Sequence, residues 1–135
     1  MTRYLLDTNH LGDAVRRVSV VRDRIQQLNR QGAIFGTCGP VLCELLAGIL
    51  QRKDAQATRR RLQGLLQVVR IWPVDLEIAV RYGEVYQELK RAGRALSQVD
   101  MMLAAISRHS NLTLLTTDGD FDALPDIRTE IWLPR

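Results

Sequence analysis

The chain reads as an α/β protein, a three-layer sandwich around a mostly parallel central sheet of about five strands. Short β-rich runs alternate with longer runs of helical period, and that alternation calls for parallel strands joined by helices on both sheet faces. The 135 residues fit one domain spanning 1–135, long enough to bury roughly two thirds of its unfolded surface without a disulfide or zinc staple. A hydrophobic content of 46% is ordinary for a globular protein, and no repeat, linker or low-complexity segment interrupts the pattern.

Tyr4-Leu5-Leu6 forms a short buried strand ended by Asp7-Thr8-Asn9. Helices are expected over 9–17 and 20–31, the second with Val21, Ile25 and Leu28 on one face and Gly32 as its stop. Residues 33–37 form the next strand. Pro40 suits the first turn of a helix carrying Val41, Leu42, Leu45, Leu46 and Ile49 on a broad apolar face. A polar helix follows over 54–66, then a β-rich run, 68–72, stopped by Pro73. Asp75 caps a long helix to Arg91 that Gly93 ends, and Ser97 caps a nearly all-apolar helix to His109. A strand over 112–115 leads into Thr116-Thr117-Asp118-Gly119-Asp120, a helical turn covers 121–124, and a last strand covers 129–132.

The net charge is +4, and all the positive side chains but Lys53 and Lys90 are arginine, whose planar forks suit phosphate. No apolar run is long enough for a transmembrane helix, and the N-terminal one is too short for a signal peptide. Cys38 and Cys43 form no CxxC pair and no disulfide framework. A reduced cytoplasm is the expected location.

Asp7, Glu44, Asp100 and Asp118 each stand among apolar neighbours at a strand end or on a buried helix, with no Lys or Arg in the same apolar segment. Singly, each has an ordinary reading: Asp7 as a turn or N-cap, Glu44 as a boundary residue, Asp100 as a first-turn acid, Asp118 as a turn before Gly119. Together they converge on one sheet edge, because ligands in such folds bind outside the carboxyl ends of the strands. Packed acids repel unless a cation intervenes, and an oxygen-only site suits Mg²⁺ or Mn²⁺. Gly48, one turn from Glu44, is expected where something approaches closely, and small Ala104 and Ser107 are expected to leave a hollow beside Asp100. Thr8, Thr116 and Asp120 are auxiliary candidates, Asn9 a cap or a brace for Asp7, and Asp122 solvent-facing. An ion bound there, single or paired, can acidify a bound water and neutralise charge developing on a phosphoryl oxygen. Asp7, Asp100 and Asp118 are expected as direct or water-bridged ligands, and Glu44 as a ligand or the group orienting the attacking water. His10 reads as a solvent-facing helix-start residue, with substrate contact as the alternative, and His109 as structural. Arg59-Arg60-Arg61 reads as a solvated face, while Arg16, Arg17, Arg22, Arg91 and Arg94 are candidates for phosphate contact.

These residues also resemble a known family. Tyr4-Leu5-Leu6-Asp7-Thr8-Asn9 resembles the opening of PIN domains, and Glu44-Leu45-Leu46-Ala47-Gly48 their second motif. Leu96-Ser97-Gln98-Val99-Asp100 with Ala104-Ala105 resembles the third, Leu115-Thr116-Thr117-Asp118-Gly119-Asp120-Phe121 the fourth, and Ile131-Trp132-Leu133-Pro134 the family's ending. By size and pattern the chain is similar to VapC-type toxins of bacterial toxin–antitoxin pairs. The resemblance implies a Mg²⁺- or Mn²⁺-dependent endoribonuclease leaving 5′-phosphate and 3′-hydroxyl ends. In it Asp7, Glu44, Asp100 and Asp118 bind metal and activate water, and Asp120 assists. It also implies a homodimer and a cognate antitoxin whose tail blocks the site. Ala95 stands where relatives often carry proline, and Met101-Met102 is bulkier than usual after the third acid; neither removes a ligand. Two rivals differ in class. A phosphoaspartate protein needs a lysine near the phosphorylated Asp, but neither Lys53 nor Lys90 follows a strand, and phosphatases of that type also need a second acid two residues on, where Asn9 stands. A catalytically silent PIN-like module would bind RNA or protein without cutting.

Overall fold

Residues 2–133 are described by a computed structural model, so Pro134 of the closing motif lies outside the described residues. Five strands, β1 (Arg3–Leu6), β2 (Ile34–Cys38), β3 (Val69–Trp72), β4 (Thr113–Leu115) and β5 (Thr129–Glu130), lie in the order β3-β2-β1-β4-β5. Every neighbouring pair is parallel, so the sheet is parallel throughout. β1 is central, which is why Leu5 and Leu6 are fully buried.

Six helices join the strands: α1 (Thr8–Ala14), α2 (Val20–Arg30), α3 (Gly39–Ile49), α4 (Ala55–Leu65), α5 (Leu76–Arg91) and α6 (Gln98–Ser110), with a 3₁₀ turn at Gly119–Ala123. α1 packs against α2 and α3, α3 against α4, and α5 along α6. Two separate helix groups are what right-handed crossovers require when the chain runs from β1 out to β3 and then returns across β1 to β4. Asp7, Asp75 and Ser97 are caps the sequence marks, and Ser19 is one it did not assign. Asp7, Ser19, Asp75 and Ser97 each accept a backbone N–H from three residues on. Gly32 (φ 98°) and Gly93 (φ 65°) end α2 and α5 in the left-handed region. Asn111 (φ 54°) does the same for α6, a stop that the sequence reading did not assign.

Two boundaries differ from expectation. α1 stops at Ala14 instead of Arg17 because arginines take over its last carbonyls. The Arg22 guanidinium donates to Ala14 O (2.7 Å), Arg16 O and Arg17 O (2.9 Å), and Arg61 Nε to Val15 O (2.6 Å). Arg22 is therefore engaged with backbone rather than free for phosphate, and Arg61 is a half-buried brace rather than part of a solvated face. β5 stops at Glu130 instead of Trp132. The Trp132 ring stacks into a core cluster with Tyr4 and Phe35, at centroid distances of 4.9 and 5.8 Å, and its backbone leaves the sheet to meet α1.

Candidate active site

The chain continues from β1 toward one edge of the sheet and from β4 toward the other. Where strand order reverses in this way, the loops diverge and leave a crevice beyond the carboxyl ends of the strands. Asp7 directly follows β1, and Asp118 follows β4 after two threonines. The Asp7 N–H donates to Leu115 O at 3.2 Å, fixing the two strand ends side by side. α3 brings Glu44 and the first turn of α6 brings Asp100. The four acids line one cavity of about 510 Å³, with Thr8, Asn9, Ser97, Thr116 and Thr117 between them and no basic residue in the lining.

Their burial is graded rather than uniform. Asp7 is 5% exposed, Asp100 and Asp118 are half-buried, and Glu44 is exposed on the open side of α3. Only Asp7 is buried outright, and Glu44 sits at the helix boundary with its head toward solvent. The capping reading and the site reading are both true at the strand ends. Asp7 Oδ1 accepts from the His10 N–H (2.8 Å) and Asp118 Oδ1 from the Asp120 N–H (2.9 Å). Neither Oδ2 takes a hydrogen bond among the described residues, so each carboxylate is held by one oxygen and keeps the other. Thr8 Oγ1 donates to Glu44 Oε1 at 2.7 Å, and Thr116 Oγ1 accepts from the Asp118 N–H at 3.2 Å, bracing the turn that presents it. Burial pushes the Asp100 carboxyl up; the Ser97 hydroxyl opposes this, while the charges of Asp118, Asp7 and Glu44 add to it. All four acids thus share one electrostatic site.

Several expectations change. Asp120 does not line the cavity; Arg94 Nε binds its Oδ1 at 2.9 Å, which also commits Arg94. Asn9 reaches Thr117 Oγ1 (3.5 Å), not Asp7. Ala104 and Ser107 are buried in the core and leave no hollow, because only the first turn of α6 reaches the crevice. A Cβ at Gly48 would meet nothing within 4 Å; the residue lines an open trough rather than a close contact. Asp122 is exposed, as expected. His10 is fully buried instead of solvent-facing, its Nδ1 2.8 Å from Asp7 Oδ1. Ser97 and Thr117, one assigned only a capping role and the other none, face the cavity.

Among the described residues, no group of three or more His, Cys, Asp and Glu side chains is drawn tightly enough to grip an ion as it stands. The donor set nevertheless suits a hard cation: carboxylate and hydroxyl oxygens, no nitrogen or sulfur, and no competing positive side chain.

The family model for the PIN domain matches residues 4–127. The chain belongs to the PIN domain family. This PIN domain is 25% identical over 134 residues to the tRNA(fMet)-specific endonuclease VapC of Shigella flexneri, covering 98% of this chain and 99% of that protein. Its fold matches VapBC2 from Rickettsia felis bound to a DNA fragment from its promoter, with a TM-score of 0.85, 23% identity and coverage of 98% and 100% of the two chains. It also matches VapBC-5 from Mycobacterium tuberculosis, a member of the VapBC family of toxin–antitoxin systems. There the TM-score is 0.68 at 23% identity, with 97% of this chain and 98% of that one covered. These two likenesses show the PIN fold over nearly the whole chain. No helix among the described residues is long and apolar enough to cross a membrane.

Proposed function

We propose that this PIN domain, acting as one unit over 1–135, is a divalent-metal-dependent endoribonuclease and the toxin of a toxin–antitoxin pair. The observation that carries this reading is the shared cavity at the strand-order switch, lined by four carboxylates and no cation. Asp7, Asp100 and Asp118 would hold Mg²⁺, or Mn²⁺ in its place, with Glu44 as a further ligand or as the group orienting water. The ion supplies acidification of a water and neutralisation of charge developing on a phosphoryl oxygen. The chain's own residues do the positioning. Asp7 and Asp118 each offer one oxygen while the other is held by backbone. The Thr8 hydroxyl holds one Glu44 oxygen, leaving the second to accept a proton from the attacking water. The water oxygen bonds to phosphorus, the bond to the 3′-oxygen breaks, and that oxygen takes a proton from solvent, leaving 5′-phosphate and 3′-hydroxyl ends.

Beyond Glu44 the cavity continues into a trough lined by Gly12 and Gly48, and then to Arg16, Arg17 and Arg52. This supports an RNA backbone running from arginines to the acids. The Shigella relative's name supports RNA as the substrate class, and the toxin–antitoxin neighbours support a cognate antitoxin as partner. A homodimer in the cytoplasm completes the reading; the exposed apolar residues Leu76, Val80 and Tyr86 on α5 support self-association. The test is cleavage of total RNA by purified chain freed of antitoxin, with Mn²⁺, with EDTA, and with Asp100→Asn. Cleavage lost on chelation and in a folded Asp100→Asn protein supports the reading. Cleavage unchanged by both contradicts it, and a folded wild type that cuts nothing under Mn²⁺ favours the silent binding module.

A further inference from the structure

His10 is the one site-adjacent residue whose placement the metal-site reading does not account for. It is fully buried, yet all its polar atoms are engaged. Its backbone N–H and its ring Nδ1 both meet the same oxygen, Asp7 Oδ1, each at 2.8 Å. On the far side of the ring the backbone N–H of Trp132 donates to Nε2 at 3.1 Å. An N–H pointing at Nε2 makes that nitrogen the acceptor, so the ring hydrogen sits on Nδ1 and is donated to Asp7.

Trp132 is itself firmly seated. Its ring packs edge-on to Tyr4 and Phe35, the Arg24 guanidinium lies 4.1 Å above it, and its indole N–H donates to Glu130 Oε1 at 3.1 Å. A rigid segment 122 residues away in sequence therefore selects the tautomer with which His10 clamps Asp7.

We infer that His10 is a positioning residue that fixes the Asp7 carboxylate by one oxygen and aims the other at the cavity, without neutralising its charge. This rests on the proposed metal-dependent function. The chemistry favours such a device over a lysine or arginine. A cation at this place would orient Asp7 equally well but would cancel the negative charge the site needs and compete with the ion. A neutral imidazole N–H, added to the backbone N–H, orients the carboxylate without a positive charge. Hydrogen bonds of this kind behind a metal ligand are worth about 10–100-fold in metal affinity.

The test compares wild type with His10→Asn, His10→Gln and His10→Leu by Mn²⁺ titration calorimetry, with thermal melting of the metal-free proteins alongside. Asn carries an amide N–H near the Nδ1 position and can still donate to Asp7. Gln reaches the Nε2 position, can accept from Trp132, and does not donate to Asp7. Leu keeps the volume and neither bond. The expected order of Mn²⁺ affinity is wild type and Asn together, with Gln and Leu weaker by about 10–100-fold, whatever the order of melting temperatures. A purely structural role predicts the opposite for Asn, whose smaller side chain leaves the largest void. If Asn binds Mn²⁺ as weakly as Leu, or if Leu binds like wild type, His10 has no positioning role. If wild type itself binds no Mn²⁺, the metal-dependent reading fails first and this inference with it.

Discussion

Two sets of carboxylates in this chain are treated in opposite ways. On the helical layer, Arg108 of α6 binds Glu88 of α5 through Nη1 at 2.5 Å and Asp126 through Nε at 2.8 Å. The guanidinium hydrogen bond holds the Asp126 carboxyl below the usual range, and the same contacts push Arg108 up. At the crevice, Asp7, Glu44, Asp100 and Asp118 share a cavity with no basic residue, and burial with neighbouring charge moves Asp100 the other way. The fold neutralises acids where it needs a joint between helices. It leaves them uncompensated at the strand-order switch, where a ligand can supply the positive charge.

Removing an acid from the crevice is the largest perturbation of this contrast. Asp7→Asn should reduce RNA cleavage by about 10³-fold, since a metal site supplies several kcal/mol of transition-state stabilisation at 1.36 kcal/mol per tenfold. Mapped cleavage ends should vanish while circular dichroism is unchanged.

Arg108→Ala perturbs the other half. It should leave cleavage within a few-fold of wild type but cost about 1–2 kcal/mol of stability, a modest figure because both partners remain partly solvated. That corresponds to a fall of about 4–8 °C in melting temperature. Asp126 has a depressed folded pKa, so its contribution is present above its unfolded value and is lost as pH falls through the folded one. The difference between wild type and variant should therefore narrow below about pH 4.

The smallest effect has the most telling sign. The folded pKa of Asp100 lies above its unfolded value, so this group lowers stability as pH rises through the folded pKa. Asp100→Asn should raise the melting temperature of metal-free protein at neutral pH by about 1–3 °C while abolishing cleavage. A melting temperature that falls instead would mean Asp100 is a structural cap with no uncompensated charge.

Much of this was legible in the sequence, because β1, α2, α5 and α6 carry local signals: apolar runs, a Ser or Asp cap, a Gly stop. Asp7 and Asp118 were legible because a strand end and an acid coincide. What was not legible depends on partners distant in sequence. The burial of His10 is decided by Trp132, and the end of α1 by Arg22 and Arg61. Ala104 and Ser107 share the periodicity of Asp100, but a helix running from the crevice into the core changes environment along its length. The pairing of Asp120 with Arg94 likewise joins two loops that no spacing rule connects.

The most direct measurement is Mn²⁺ titration calorimetry on the metal-free wild type and on an Asp7→Asn, Asp100→Asn double variant. Saturable binding to the wild type that disappears in the folded double variant is the predicted result. Equal binding by both proteins, or none by a folded wild type, would contradict the assignment of these acids as a metal site.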